Sequence, residues 1–197
     1  MLKRRITMVL LAFILISTIV FPAVSSAGTQ TALEFINGGH LNVDDEYEND
    51  TYTDDQEAQE EYDPEYVALL DYADQLGLIA KFEDKAVSSY TNNSYVTSSS
   101  RKQNYAAFNN TIIPNYTKFV VGLKKIKPTT PKLKKIHETY IKGASLQLQA
   151  FTLFKNSLSS KSINYKVFDQ GNVKLAAGYK LVQKSSDDFE AYAATFE

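Results

Sequence analysis

The stretch from Thr111 to Leu158 constrains the fold most, because two long apolar-periodic runs meet there at the short break Pro128-Thr129-Thr130-Pro131. Proline disrupts a helix interior, whereas a Thr-Pro pair suits a helix cap and the first turn that follows it. The stretch therefore predicts a helical hairpin. Six lysines flank the break and are named the lysine joint: Lys124, Lys125, Lys127, Lys132, Lys134 and Lys135.

Apolar residues recur at helical spacing in four segments, and none of the segments shows convincing strand alternation. This pattern predicts an all-α protein, an up-down-up-down four-helix bundle over residues 66–197. The predicted apolar stripes are Tyr66, Leu69, Leu70, Ala73, Leu76, Ile79, Ala80, Val87 and Tyr90; Tyr105, Phe108, Ile112, Tyr116, Phe119, Leu123 and Ile126; Leu133, Ile136, His137, Tyr140, Ala144, Leu148, Phe151, Phe154 and Leu158; and Tyr165, Phe168, Leu175, Ala176, Tyr179, Val182, Phe189, Ala193 and Phe196.

Local signals set the expected helix ends and irregularities. Asp63-Pro64-Glu65 is a predicted N-terminal cap, and the polar clusters 88–100 and 157–162 are predicted breaks. Pro114 lies inside the second segment, where it removes a backbone hydrogen bond, so we expect a kink near residues 110–114. Three glycines in the last two segments are expected to permit close helix approach: Gly143, Gly171 and Gly178.

The N-terminus has the pattern of a secretory signal peptide. Lys3-Arg4-Arg5 precedes an apolar run from Met8 to Phe21, and small residues lead to a cleavage site after Ala27. The alternative is an uncleaved membrane anchor, although the run is shorter than the ~20 residues that usually span a bilayer. The chain contains no cysteine, which excludes a lipid-modified cysteine, disulfides and thiolate metal sites. The prediction is a secreted, extracytoplasmic protein.

Charge is distributed very unevenly along the chain. From Gly28 to Asp84 there are 17 acidic residues and one basic residue, whereas from Arg101 to Lys184 there are 16 basic and two acidic residues. Residues 28–65 combine low hydrophobicity with like charge and are predicted to be a disordered acidic leader. A plain solvated spacer is the alternative.

One part of the chain resembles known proteins. The run from Thr130 to Lys142, the segment Gln147-Leu148-Gln149-Ala150-Phe151 and the later Gly171-Asn172-Val173-Lys174-Leu175 and Gly178-Tyr179 resemble segments of secreted and lipid-anchored helical-bundle proteins of Gram-positive bacteria. The likeness covers about residues 105–197. It implies the compartment and the fold but no activity, and the chain lacks the anchoring cysteine of those proteins.

Motifs for catalysis or cofactor binding are absent from the sequence. His137-Glu138 begins like a zinc-binding His-Glu-x-x-His helix, but Ile141 occupies the position of the second histidine. His137 is therefore expected at a helix seam and His40 in a solvated loop. The acidic residues lack EF-hand spacing, and the tyrosines are expected to pack in the core rather than to stack on sugars. The prediction is a non-enzymatic protein with no cofactor and no metal site.

The lysine joint is the candidate binding site. Its excess of positive charge would attract polyanions, with strong salt dependence. Teichoic acid and an anionic membrane surface are the expected partners, extracellular DNA is a further candidate, and no specific nucleic acid recognition is expected. The acidic leader would compete internally for the same lysines. The alternative is an ordinary solvated face.

Two other functions remain open from the sequence. A protein-interaction module, such as an immunity, inhibitor or assembly factor, would present one helix face to a protein partner and requires a contiguous apolar patch. A membrane-active bundle would open and insert its apolar faces. The chain after the signal segment has no apolar run of 18 residues, which disfavours spanning by a single helix.

Overall fold

The structure is a computed structural model that describes residues 63–196. The predicted signal peptide, nearly all of the acidic leader and His40 lie outside these residues. The described part is all-α and contains no strand, which confirms the predicted fold class. Its elements are α1 (Pro64–Asn92), α2 (Arg101–Ala107), a π-helical turn (Phe108–Ile112), α3 (Ile113–Lys125), α4 (Pro131–Ser157), α5 (Tyr165–Ala193) and a final 3-10 turn (Ala194–Phe196).

Side-chain caps begin the three long helices. The Asp63 carboxylate accepts from the Glu65 backbone N–H at 2.8 Å, and the Thr130 hydroxyl accepts from Leu133 at 3.3 Å. Asn164 caps α5 in the same way. Pro64 and Pro131 occupy the first helical position, where a missing N–H costs nothing. The predicted caps at Asp63 and Thr130 are confirmed.

The second helical segment is interrupted at the place where the sequence predicts a kink. The five residues Phe108–Ile112 form a π-helical turn, and the Ile113 N–H donates to the carbonyl of Phe108. Pro114 follows at once, and the Asn115 side chain donates to the Thr111 carbonyl at 2.7 Å. An inserted residue thus accommodates the proline, as is typical of π-bulges.

Aromatic rings fill the core. Tyr90 lies at its centre, with its ring 6.2 Å from that of Phe108 and 5.2 Å from that of Phe151. Phe154 packs on Phe168 with ring centroids 4.8 Å apart. Buried aromatic side chains of this size dominate core energetics, so residues from every helical segment contribute to one apolar interior.

Parts of the predicted stripes are corrected by the structure. Tyr165 is 51 % exposed, because it is the first residue of α5 and projects from the end of that helix. Tyr72 and Tyr192 are buried although neither was in a predicted stripe. Nine predicted stripe residues are only half-buried at the edge of the core: Leu70, Ile79, Ala80, Val87, Tyr105, Leu148, Ala176, Tyr179 and Phe196.

Helices α4 and α5 pack at very short range. A Cβ atom added at Gly143 would lie 2.9 Å from the carbonyl oxygen of Gly178, and one added at Gly178 would lie 2.8 Å from that of Gly143. A Cβ atom at Gly171 would lie 2.6 Å from the Phe154 ring. The predicted role of these glycines in close helix approach is confirmed.

The contacts between α4 and α5 run in opposite order along the two helices. Lys132, at the start of α4, lies over the ring of Tyr192 near the end of α5, whereas Phe154 near the end of α4 meets Phe168 near the start of α5. These two helices are therefore antiparallel. The up-down-up-down order of all four segments stays a prediction.

Candidate functional site

The lysine joint is exposed on an anchored turn. All six of its lysines are exposed, whereas the intervening Ile126 and Pro128 are buried and Leu133 has no exposed surface. Ile126 has extended backbone torsions and ends α3. The apolar residues of the connection thus fix its backbone in the core and leave the ammonium groups in solvent.

The joint lysines have no carboxylate partner among residues 63–196. The ion pair found in that range joins Lys184 to Asp188 at 2.9 Å, on the surface of α5. Lys132 instead places its Nζ 5.8 Å from the centroid of the Tyr192 ring. The positive charge of the joint is therefore not neutralised by the described part of the fold.

Helix dipoles act differently on the two sides of the joint. Lys124 and Lys125 lie in the last turn of α3, where positive charge is favourable. Lys132, Lys134 and Lys135 lie in the opening turns of α4, whose first turn contains no acidic residue. Cations there oppose the positive end of the dipole, at a cost of about 0.3–1 kcal/mol for a charge in the first turn. The helix dipole therefore disfavours these charges, although Lys132 also contacts the Tyr192 ring.

A polar network lies inside the core between α1, α3 and α4. The Tyr140 hydroxyl donates to Glu83 Oε2 at 3.3 Å, and the Tyr116 hydroxyl donates to Oε1 of Gln147. Glu83 is 4 % exposed and Gln147 has no exposed surface. Buried polar groups are tolerated when hydrogen bonds compensate their loss of water. The tyrosine hydroxyls supply one such bond to each side chain, whereas Glu83 Oε1 and Gln147 Nε2 have no hydrogen-bond partner among residues 63–196.

Burial controls the protonation of Glu83. The pKa of Glu83 is raised to about 8, mainly by burial; the Tyr140 hydrogen bond lowers it and the nearby Asp84 charge raises it, each by less than burial does. The carboxyl group is therefore mainly protonated and neutral at pH 7. Burial likewise raises the pKa of Tyr116 and Tyr140, with the Glu83 charge contributing to both shifts. The network favours neutral groups throughout.

His137 is a buried histidine of α4 that contacts α1 and is affected by the charge of the lysine joint. Its Nδ1 lies 3.1 Å from the Tyr72 hydroxyl, and burial lowers its pKa. The positive charge of Lys127 lowers the pKa of His137 further, whereas the backbone carbonyls of Leu123 and Ile126 raise it. His137 is 4 % exposed, so the expectation that it packs at a helix seam is confirmed.

The predicted apolar stripes omit Glu83 and Gln147, although a seven-residue spacing places both on a buried helix face. Glu83 lies seven residues after Leu76 and seven before Tyr90, which are both buried. Gln147 lies at the same spacing between the buried Tyr140 and Phe154. Helical positions seven apart share one face, but a search for apolar residues passes over a polar residue at such a position.

The described residues limit what chemistry the interior can perform. Between Asp63 and Phe196 no three His, Asp or Glu side chains are grouped so that they could hold a metal ion. Glu83, Tyr116 and Tyr140 are each 4 % exposed or less, so solvent has little access to them. The network therefore affects the stability of the bundle, whereas the lysine joint is available to a ligand.

No helix among residues 63–196 combines the length and the hydropathy needed to cross a bilayer. The large apolar side chains that are exposed belong to α1, the 93–100 connection, α3 and α5, and none belongs to the α3–α4 connection. They are Val67, Leu78, Tyr95, Val121, Tyr165 and Val173.

Comparison of the chain with protein-family models, curated proteins and solved structures gave no match. The resemblance of residues 105–197 to helical proteins of Gram-positive bacteria stays an expectation from the sequence.

Proposed function

We propose that this chain is a non-enzymatic, extracytoplasmic helical-bundle protein that binds anionic polymers of the cell envelope through the lysine joint. One observation carries the proposal. Six exposed lysines gather on a turn that buried residues hold in place, and none pairs with a carboxylate among residues 63–196. Such a surface attracts polyanions and releases their counterions on binding.

The chemistry of lysine favours a polymer with many equivalent anionic groups. An ammonium group is a compact point charge on a flexible stem, without the planar fork with which arginine fits one carboxylate or phosphate. The joint contains lysines and no arginine. A flexible phosphodiester chain of the teichoic-acid type meets this requirement, and anionic lipid headgroups offer the same chemistry on a surface.

The placement of three lysines favours this function over an ordinary solvated face. A solvated face gains nothing from cations in the opening turns of a helix, where they oppose the dipole. Lys132, Lys134 and Lys135 occupy that position in α4. Their placement is better explained if the positive potential of the helix start adds to the positive potential of the three lysines, and the two together attract an anionic ligand.

The proposal is tested with a variant that neutralises half of the joint. In this joint variant, Lys132→Gln, Lys134→Gln and Lys135→Gln remove three charges at the start of α4. Each lysine at an anionic surface contributes about 1 kcal/mol. The joint variant should therefore bind teichoic-acid-bearing cell walls roughly 100-fold more weakly than the wild type. Cosedimentation across a salt series measures the affinity.

The matched control removes the same charge from another surface. In this α5 variant, Lys166→Gln, Lys174→Gln and Lys180→Gln replace three exposed lysines of α5. Its affinity should fall much less than that of the joint variant. Walls stripped of teichoic acid and vesicles with anionic lipids distinguish the two phosphodiester sources. An equal loss in both variants would contradict the proposal.

A further inference from the structure

The first helix begins beside the lysine joint. The Tyr192 hydroxyl donates to the Glu65 carboxylate at 2.9 Å, and the face of the same tyrosine ring lies 5.8 Å from Lys132 Nζ. Burial raises the pKa of Tyr192; a hydrogen bond with Thr130, which caps α4, lowers it, and the hydrogen bond and charge of Glu65 together with the charge of Asp63 raise it. One tyrosine therefore contacts both the start of α1 and the start of α4.

The sequence just before α1 is strongly acidic. Residues 44–61 contain ten acidic residues and no basic residue: Asp44, Asp45, Glu46, Glu48, Asp50, Asp54, Asp55, Glu57, Glu60 and Glu61. A chain spans at most about 3.3–3.6 Å per residue. Glu57, which is six residues before Asp63, can therefore reach up to about 20 Å from the cap of α1.

We propose that the acidic segment 54–61 binds the lysine joint of the same molecule and competes there with the anionic polymer. The inference rests on the proposed function and specifies how that function would be regulated. Charge complementarity and the position of α1 both favour this segment. Tethering a binding segment beside its target gives a millimolar effective concentration, so a weak contact suffices.

The geometry favours the joint over the lysines near the start of α5. Lys166 lies near the start of α5, close to Phe168, whose ring packs on Phe154 near the end of α4. Because α4 and α5 are antiparallel, Lys166 is at the end of this helix pair that is remote from Tyr192 and the start of α1. A segment tethered at Asp63 reaches the joint first.

The contact can be tested without any polymer, by acylating the surface lysines of the whole chain and following each by peptide mass spectrometry. At low salt, the joint lysines of the wild type should react several-fold more slowly than Lys161, Lys166 and Lys174. The difference should disappear at about 0.5 M salt, where the Debye length is only a few ångströms. Equal rates at low salt would overturn the proposal.

A leader variant identifies the segment that protects the lysines. Glu57→Gln, Glu60→Gln and Glu61→Gln should abolish the protection and raise the affinity for teichoic acid several-fold at low salt. The matched outer-acid variant removes three exposed carboxylates of the bundle through Asp71→Asn, Asp74→Asn and Asp169→Asn. It should change neither result. Persistent protection in the leader variant would contradict the assignment.

Two further outcomes separate this inference from the proposed function. If the wild type bound the polymer but its joint lysines were not protected from acylation, the internal contact would be wrong and the proposed function would stand. If the joint lysines were protected but neither the wild type nor the leader variant bound the polymer, the proposed function would be wrong and the internal contact would stand. Protection that strengthens with protein concentration would assign it to a second copy and overturn the intramolecular proposal.

Discussion

The interior network and the lysine joint both contain polar groups, but those of the network are buried and those of the joint are exposed. In the interior, Glu83 and Gln147 are buried as neutral groups, and each accepts a hydrogen bond from a buried tyrosine, Tyr140 and Tyr116 respectively. At the joint, six charged groups are exposed and pair with no carboxylate of the described fold. Hydrogen bonds from the tyrosines thus account for the interior groups, whereas no carboxylate within residues 63–196 neutralises the joint. A charged cluster that no carboxylate of the described fold neutralises is the better candidate for binding a ligand.

This comparison predicts that changes in the interior alter stability and that changes at the joint alter binding. His137 lies between the two regions, because it contacts Tyr72 in the core and is affected by the charge of Lys127. Each prediction tests whether the division holds.

The largest expected effect is a change in how stability depends on pH. The folded-state pKa of Glu83 is about 8, above its ordinary value of 4.5, so the folded protein binds the proton more tightly than the unfolded chain does. This contribution to stability is fully present below pH 4.5 and is lost as pH rises to about 8. The slope is about 1.4 kcal/mol per pH unit within that window.

Glu83→Gln should remove this slope, since an amide does not titrate. The variant should therefore gain stability relative to the wild type as pH rises from 5 to 8, by several kcal/mol in total. Urea unfolding at a series of pH values measures the difference. Asp84→Asn is the control, because Asp84 is exposed and should show a much smaller change. Parallel curves for wild type and Glu83→Gln would show that Glu83 is not a buried neutral acid.

The next largest effect concerns the packing of α4 on α5. Gly178→Ala places a methyl group against the Gly143 carbonyl, which belongs to backbone and cannot rotate away. Overpacking of this kind costs about 1–3 kcal/mol, which outweighs the better helix propensity of alanine. Thermal unfolding at fixed pH checks the loss.

Gly77→Ala is the matched control for this substitution. Gly77 also lies within a long helix, but a Cβ atom there would meet nothing within 4 Å. The control should gain about 0.5–1 kcal/mol from helix propensity alone. A loss of stability at Gly77 as large as that at Gly178 would break the packing argument.

The smallest expected effect is on the stability of the joint variant. Removing Lys132, Lys134 and Lys135 takes cations away from the positive end of α4 but also removes the contact of Lys132 with the Tyr192 ring. The two effects oppose each other, so the free energy of unfolding should change by about 1 kcal/mol or less at low salt, and the dipole part should shrink as salt is added. Urea unfolding of the joint and α5 variants makes the comparison. A marked loss of stability in the joint variant would show that the fold itself needs these lysines.

The sequence predicted the local features of the fold but not the buried polar groups of the interior. The caps at Asp63 and Thr130, the break at Pro128 and the irregularity before Pro114 were predictable, because proline and capping residues act locally. The apolar stripes were also predictable in outline. The burial of Glu83 and Gln147 was not predicted. A polar residue within an apolar heptad is buried only if partners on other helices form hydrogen bonds with it. The spacing of residues in one helix cannot identify Tyr140 or Tyr116 as those partners.

The candidate site was predictable as a set of lysines but not as a surface. The sequence places all six beside the break, but their common exposure and the anchoring of Ile126 and Pro128 depend on the tertiary fold. The proximity of the start of α1 also depends on tertiary structure, since Glu65 and Tyr192 are 127 residues apart in sequence.

The most direct measurement of the central claim is the salt dependence of binding to a phosphodiester polymer of defined length. Each lysine that displaces a counterion contributes about 0.7–0.9 to the slope of log affinity against log salt for nucleic acid polyanions. The joint variant should therefore show a slope shallower than the wild type by about 2, whereas the α5 variant should keep the wild-type slope. Equal slopes in the wild type and the joint variant would show that the lysine joint does not contact the polymer.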